Sequence, residues 1–241
     1  MVDDSQTRLL RDAQNGIRSL VERDLRAFWL SLDLSRPEAA RDALLAFTPA
    51  LVEQYGEQAA AVAADWYDDV RAAERVRGRF RAEMVTPGEQ EAVEGTVRRL
   101  AGDLFTDDPS PMLAGLLAAA PKFALAGSRL TVVRSTERDP QAAGWQRVIR
   151  GGACRFCRML HGRGAVYKES TVNFAAHKAC DCAAAPSWDP NAPEVDVRLY
   201  EASRRMTALR QRAAAGDRSA QRQIRDHNAL IQRALDEYAP E

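Results

Sequence analysis

The stretch 152–186, GACRFCRMLHGRGAVYKESTVNFAAHKACDCAAAP, decides how the rest of the chain is read. It holds all four cysteines and two of the three histidines, in the order Cys154-x2-Cys157-x19-His177-x2-Cys180-x-Cys182. A Cys-x2-Cys turn places two thiolates on one metal, and a second knuckle about 20 residues on supplies two more, as in a closed tetrahedral zinc site. Five side chains compete for four positions. Cys154 and Cys157 form one half; the other half comes from His177, Cys180 and Cys182, and the spacing favours His177 with Cys182. The expectation is structural Zn2+, with reduced structural thiols as the alternative. Clustered cysteines in a reducing compartment are more often metal ligands than disulfides.

A catalytic metal is disfavoured by the same residues. Zinc deaminases need a His-x-Glu ahead of a Pro-Cys-x-x-Cys, because the Glu shuttles protons around the metal-bound water. Here the order is reversed, and Ala179 stands two residues after His177. Enough thiolates are present to close the coordination sphere without water. No His-Glu-x-x-His, Gly-x-Ser-x-Gly or phosphate loop occurs. The chain is therefore expected not to be an enzyme. His161 reads as a polar hairpin residue rather than a ligand, and His227 as a solvated helix residue.

Working outward, "WQRVIR" alternates apolar and polar residues and "GAVYK" is a second short strand candidate, predicting a small hairpin with the Cys-x2-Cys turn between them. Arg147, Arg150, Arg155, Arg158, Arg163 and Lys168 give this segment six basic residues and no acidic one. That is a candidate phosphate-binding or partner-binding face; a solvated hairpin face is the plain alternative. The C-terminal arginines from Arg204 to Arg225 are only partly offset by Asp217 and Asp226. Charge alone does not separate DNA from an acidic protein partner.

Before this module, residues 5–33 read as one amphipathic helix with Leu10, Ile17, Val21, Phe28 and Leu32 on one face. Ser35 is a possible N-cap, with Pro37 early in a second helix over 37–76. Leu44, Phe47, Leu51, Tyr55, Val62 and Trp66 would be its apolar stripe, and Pro49 a kink. Thr86, Pro87 and Glu89 resemble a capping box starting a helix through Leu104. A helix over 111–134, rich in small residues, follows. After the module, helices are expected over 195–214 and 217–238 with a break at Gly216. The resulting fold class is mainly α: long N-terminal helices (1–136), a zinc-stabilised β-hairpin module (137–190) and C-terminal helices (191–241), α+β overall.

The 241 residues carry no net charge, and only three of the 34 basic residues are lysines. The first residues lack the apolar core of a secretory signal. The run "PMLAGLLAAAPKFALAG" is too short to span a bilayer. These features predict a soluble protein made in the cytoplasm, without a membrane or a small-molecule substrate as partner.

The pattern GW-x-RV, CRFCRML, RGAVY and F-x2-HKACDC resembles the C-terminal module of the MuF-like minor head proteins of tailed bacteriophages, closest to the actinobacterial phage and prophage form. Cys154, Cys157, His177, Cys180 and Cys182 carry the resemblance, with Tyr167, Gly162 and Gly164, over about residues 137–190. It implies a structural minor capsid protein in the procapsid or head interior near the portal, acting in head assembly, DNA packaging or ejection. The implied partners are the portal or major capsid protein, and packaged DNA against the basic hairpin. The alternatives are a zinc-dependent DNA-binding module, and a toxin or enzyme of the kind fused to some relatives.

Overall fold

The structure, a computed structural model, describes residues 2, 4–149, 153, 155–162, 182–191 and 203–238. Helix α1 (Asp4–Leu30) buries Leu10, Gln14, Ile17, Val21, Leu25 and Trp29 at three- and four-residue intervals. That is the predicted face, with Phe28 at its edge stacked on Phe47. Helix α2 (Pro37–Ala73) begins at its proline, whose missing N–H costs nothing in the first turn. Ser35 is not its cap: the Ser35 hydroxyl and N–H both donate to the Asp33 carboxylate (2.6 and 3.1 Å).

Helix α2 is the organising element. It packs against α1, α3 (Gln90–Leu100), α4 (Ser110–Ala124) and α5 (Ala126–Arg138). Contact on several sides suits its second half, where Ala59, Ala60, Ala63 and Ala64 are buried and let neighbouring backbones approach. The predicted stripe holds at Leu44, Leu51, Tyr55 and Trp66, but Val62 is exposed. The closest approach is to α5, where a Cβ on Gly127 would stand 2.4 Å from the Gly56 carbonyl oxygen.

The predicted capping box is displaced. Helix α3 starts at Gln90, and Glu89 makes no side-chain cap bond. Tertiary hydrogen bonds hold the preceding segment out of a helix: the Val85 N–H donates to Thr131 Oγ1 (2.9 Å) and the Ala82 N–H to the Asp68 carboxylate (2.9 Å). A 3-10 turn (Ala101–Phe105) replaces the end of the expected helix. The predicted helix over 111–134 is two helices that meet at Leu125, four residues after Pro121, which lacks the N–H of one rung. Together Ser110–Arg138 is long and apolar enough to cross a membrane, yet 67% of its most apolar window is buried in the protein.

Strand β1 (Gly144–Val148) pairs antiparallel with β2 (Ala183–Ser187), Trp145 facing Pro186 and Val148 facing Ala183. Among the described residues β1 pairs with a strand that the sequence did not suggest. The strand partner of "WQRV" is "AAAPS", and the residues after β1 that carry the second cysteine form helix α6 (Arg155–Gly162). The other strand candidate, 164–168, lies outside the described residues. Trp145, Val148 and Ala183–Ala185 share a core cluster with Ala63, Tyr67, Val70 and Val132 of α2 and α5. At the far end of the sheet the buried Asp139 carboxylate accepts from Arg71 Nε (2.9 Å) and Trp188 Nε1 (3.0 Å). Arg71 also donates to the carbonyls of Arg77 (2.8 Å) and Gly78 (3.0 Å), fixing the turn that leaves α2.

The C-terminal helices α7 (Ser203–Ala214) and α8 (Arg218–Tyr238) form a helical hairpin closed over Met206, Leu209 and Ala220. Gly216, at φ +90, makes the break predicted there. Asp217 caps α8 by accepting from the N–H groups of Ser219 (2.9 Å) and Ala220 (3.1 Å).

Candidate metal centre

The register of the sheet brings the cysteine region together. With Val148 opposite Ala183, the next rung outward sets Ile149 opposite Cys182, at the end where the chain leaves β1 for α6. Cys157, on α6, is 2% exposed and Cys182 is 1% exposed. The two pack in one cluster with Ile149 and Ala153, although 25 positions separate them in sequence. One member of each predicted knuckle is therefore in the same buried place.

Three contacts hold this end of the sheet. Arg129 on α5, itself 3% exposed, donates from Nε to the Cys182 carbonyl (3.0 Å). Its Nη1 donates to the Lys122 carbonyl (3.3 Å), so one guanidinium ties the cysteine backbone to the α4–α5 junction. His161 Nδ1 lies 2.7 Å from the Arg147 carbonyl oxygen, linking the last turn of α6 to β1. Helix α6 also packs against α8.

Two buried sulfurs in one cluster are half of a tetrahedral set of four thiolates, or of three thiolates and an imidazole, and the chemistry of this donor pair fits a structural zinc ion. Among the described residues no three His, Cys, Asp or Glu side chains converge on a metal-sized site. A complete site would draw on Cys154, His177 and Cys180, all outside the described residues.

Of the six predicted basic residues, Arg147 and Arg158 have described side chains, and they do not share a solvent-facing surface. Arg147 is 1% exposed and belongs to the interior, which removes it from any solvent-facing phosphate surface. Its backbone explains this: it lies in β1, both of whose faces are covered. Arg158 is exposed on α6; Arg155 lies on the same helix. Arg150, Arg163 and Lys168 are outside the described residues.

Sequence reasoning missed the buried ionic groups. Arg71, Arg129 and Asp139 are 7, 3 and 3% exposed. In a chain this rich in arginine, nothing in the local pattern marks Arg71 or Arg129. Asp139 precedes Pro140 at a helix end, which reads as turn chemistry, and it does accept from the Gln141 N–H (3.1 Å). Burial pushes the Asp139 carboxyl pKa up, but hydrogen bonds from Arg71, Trp188 and the Gln141 N–H outweigh it and hold the carboxyl below its ordinary value. Burial, with the Asp139 charge nearby, pushes the Tyr67 hydroxyl the other way.

A family model described as VG15 protein matches residues 1–205. No curated protein and no solved structure matches the chain.

Proposed function

The chain belongs to the VG15 protein family, a family of phage proteins, and on that premise we propose that it is a non-enzymatic minor capsid component of the MuF-like kind. The family match, which takes in both the helical body and the cysteine region, is the observation that carries this reading. In this reading the helical body is the docking part, placed inside the head near the portal, where it acts in assembly, packaging or ejection. The burial of Cys157 and Cys182 in a shared cluster supports a structural Zn2+ clip over a reactive centre, because a closed site needs no access for substrate. The rival reading, a DNA-binding module using the basic 147–168 segment, loses Arg147 to the interior.

The test is assembly. When the chain is co-expressed with the portal and major capsid proteins of its own phage, it should co-sediment with purified procapsids in substoichiometric amount. Procapsids that form normally and carry none of it would sink the proposal.

A further inference from the structure

The C-terminal helical hairpin lies almost wholly beyond residue 205, where the family match ends, and it is rich in arginine. Between Ser203 and Tyr238 there are eight arginines against four carboxylates, in a chain whose formal net charge is zero. At 3.6 residues per turn, Arg218, Arg222, Arg225 and Arg233 of α8 fall within an arc of about 80°. All four are exposed. Ala220, Ile224, His227 and Ile231 occupy the opposite side and are buried or half-buried. The packed face thus fixes the arginine face outward.

None of these four arginines has a carboxylate within 4 Å among the described residues, whereas neighbouring Arg212 is held by Asp217 (2.6 Å). Asp226 flanks the stripe, and Asp236 near its far end accepts from Gln232 (2.8 Å). The Asp217 cap supplies the acidic charge that the N-terminal end of the helix favours, so the stripe is not needed to stabilise the helix. Four exposed arginines on one face, without an ion pair to a described carboxylate, mark a surface open to an anionic partner.

We propose that the arginine stripe of α8 binds the phosphate backbone of duplex DNA without reading its sequence. The four side chains span roughly 22 Å at 1.5 Å per residue, long enough to follow several phosphates of one strand. Arginine suits this task because its planar fork grips phosphate oxygens in pairs. An acidic protein is the competing occupant, and the test separates the two. This site is distinct from the cysteine region and does not depend on the head role: duplex binding is read on the purified chain, incorporation on the particle.

The experiment is fluorescence anisotropy of a labelled duplex titrated with the full chain between about 50 and 200 mM salt. The variant replaces Arg218, Arg222, Arg225 and Arg233 by Gln. The wild type should bind, and the variant should weaken binding and flatten the log K against log salt slope by about three to four. The fourfold Arg→Lys variant should keep the slope. The Gln variant should melt at about the wild-type temperature, since the four side chains are exposed and hold no described carboxylate. A wild-type chain that leaves the duplex unbound at the low-salt end, or a Gln variant with the wild-type slope, overturns the proposal.

Discussion

The Asp139 carboxylate accepts from Arg71, Trp188, the Gln141 N–H and the Tyr67 hydroxyl, and its side chain is fully buried (0% exposed) beside Arg71 (8%). A buried pair is costly to create, yet removing one partner is worse, because the other charge is left without compensation. Asp139→Asn keeps the shape and removes the charge, so it should cost about 3 kcal/mol, read from the urea midpoint. The pH dependence has a definite sign. The folded carboxyl sits below its ordinary value, so its contribution is full above the unfolded pKa of about 3.9 and is lost as pH falls through the lower folded value. The stability gap between wild type and Asp139→Asn should therefore be constant near neutrality and close below about pH 4. A gap that persists unchanged in acid would mean that the carboxylate is not the stabilising form. Cys157 permits a similar separation of roles. If it only packs, Cys157→Ala keeps a small apolar group and should cost about 1 kcal/mol. If it holds zinc, the same variant should also lower the metal content measured on the purified chain.

Among the elements, the α2–α5 crossing depends on one missing side chain. A methyl at Gly127 meets a backbone carbonyl, that of Gly56, at 2.4 Å, and two helices would have to separate to admit it. At Gly115 a methyl meets only the Leu100 side-chain tip at 2.8 Å, which can rotate away. Ala in place of Gly gains up to about 1 kcal/mol of helix propensity, whereas overpacking costs roughly 1–3 kcal/mol. Gly127→Ala should therefore be destabilising by about 1–2 kcal/mol, and Gly115→Ala neutral or slightly stabilising, by thermal melting. Periodicity could reveal α1 and most of α2 because their burial follows the 3.6-residue repeat. The start of α3 was placed too early by the Thr86–Pro87–Glu89 pattern, where Glu89 makes no side-chain cap bond and the helix begins only at Gln90. Pro121 was visible, but the division at Leu125 reflects how α4 and α5 each dock on α2.

For the whole molecule, the cysteine spacing identified the right neighbourhood but not its architecture. Cys157 and Cys182 were expected in opposite knuckles of one clip, and they share one buried cluster. The β2 strand was not foreseen because "AAAPS" has no alternation to signal a strand, and its order comes from pairing with β1 and burial against α5. This placement makes the proposed zinc a local fastener. The sheet's core side chains, Trp145, Val148 and Ala183–Ala185, belong to the cluster that also contains Tyr67, Val70 and Val132. The proposed clip would close the end marked by Ile149 and Cys182, alongside the hydrogen bonds from Arg129 and His161. Structural zinc contributes folding free energy directly to the segment it closes. Chelation should therefore raise amide exchange in α6 and at the Val148–Ala183 end of the sheet. Residues 17–29 of α1 and 44–70 of α2 should keep their protection, because their burial is supplied by helix packing. Hydrogen exchange read by mass spectrometry, with and without chelator, would distinguish this from its rival. If α1 and α2 lose protection together with α6, the clip is a determinant of the whole fold, and the local-fastener account fails.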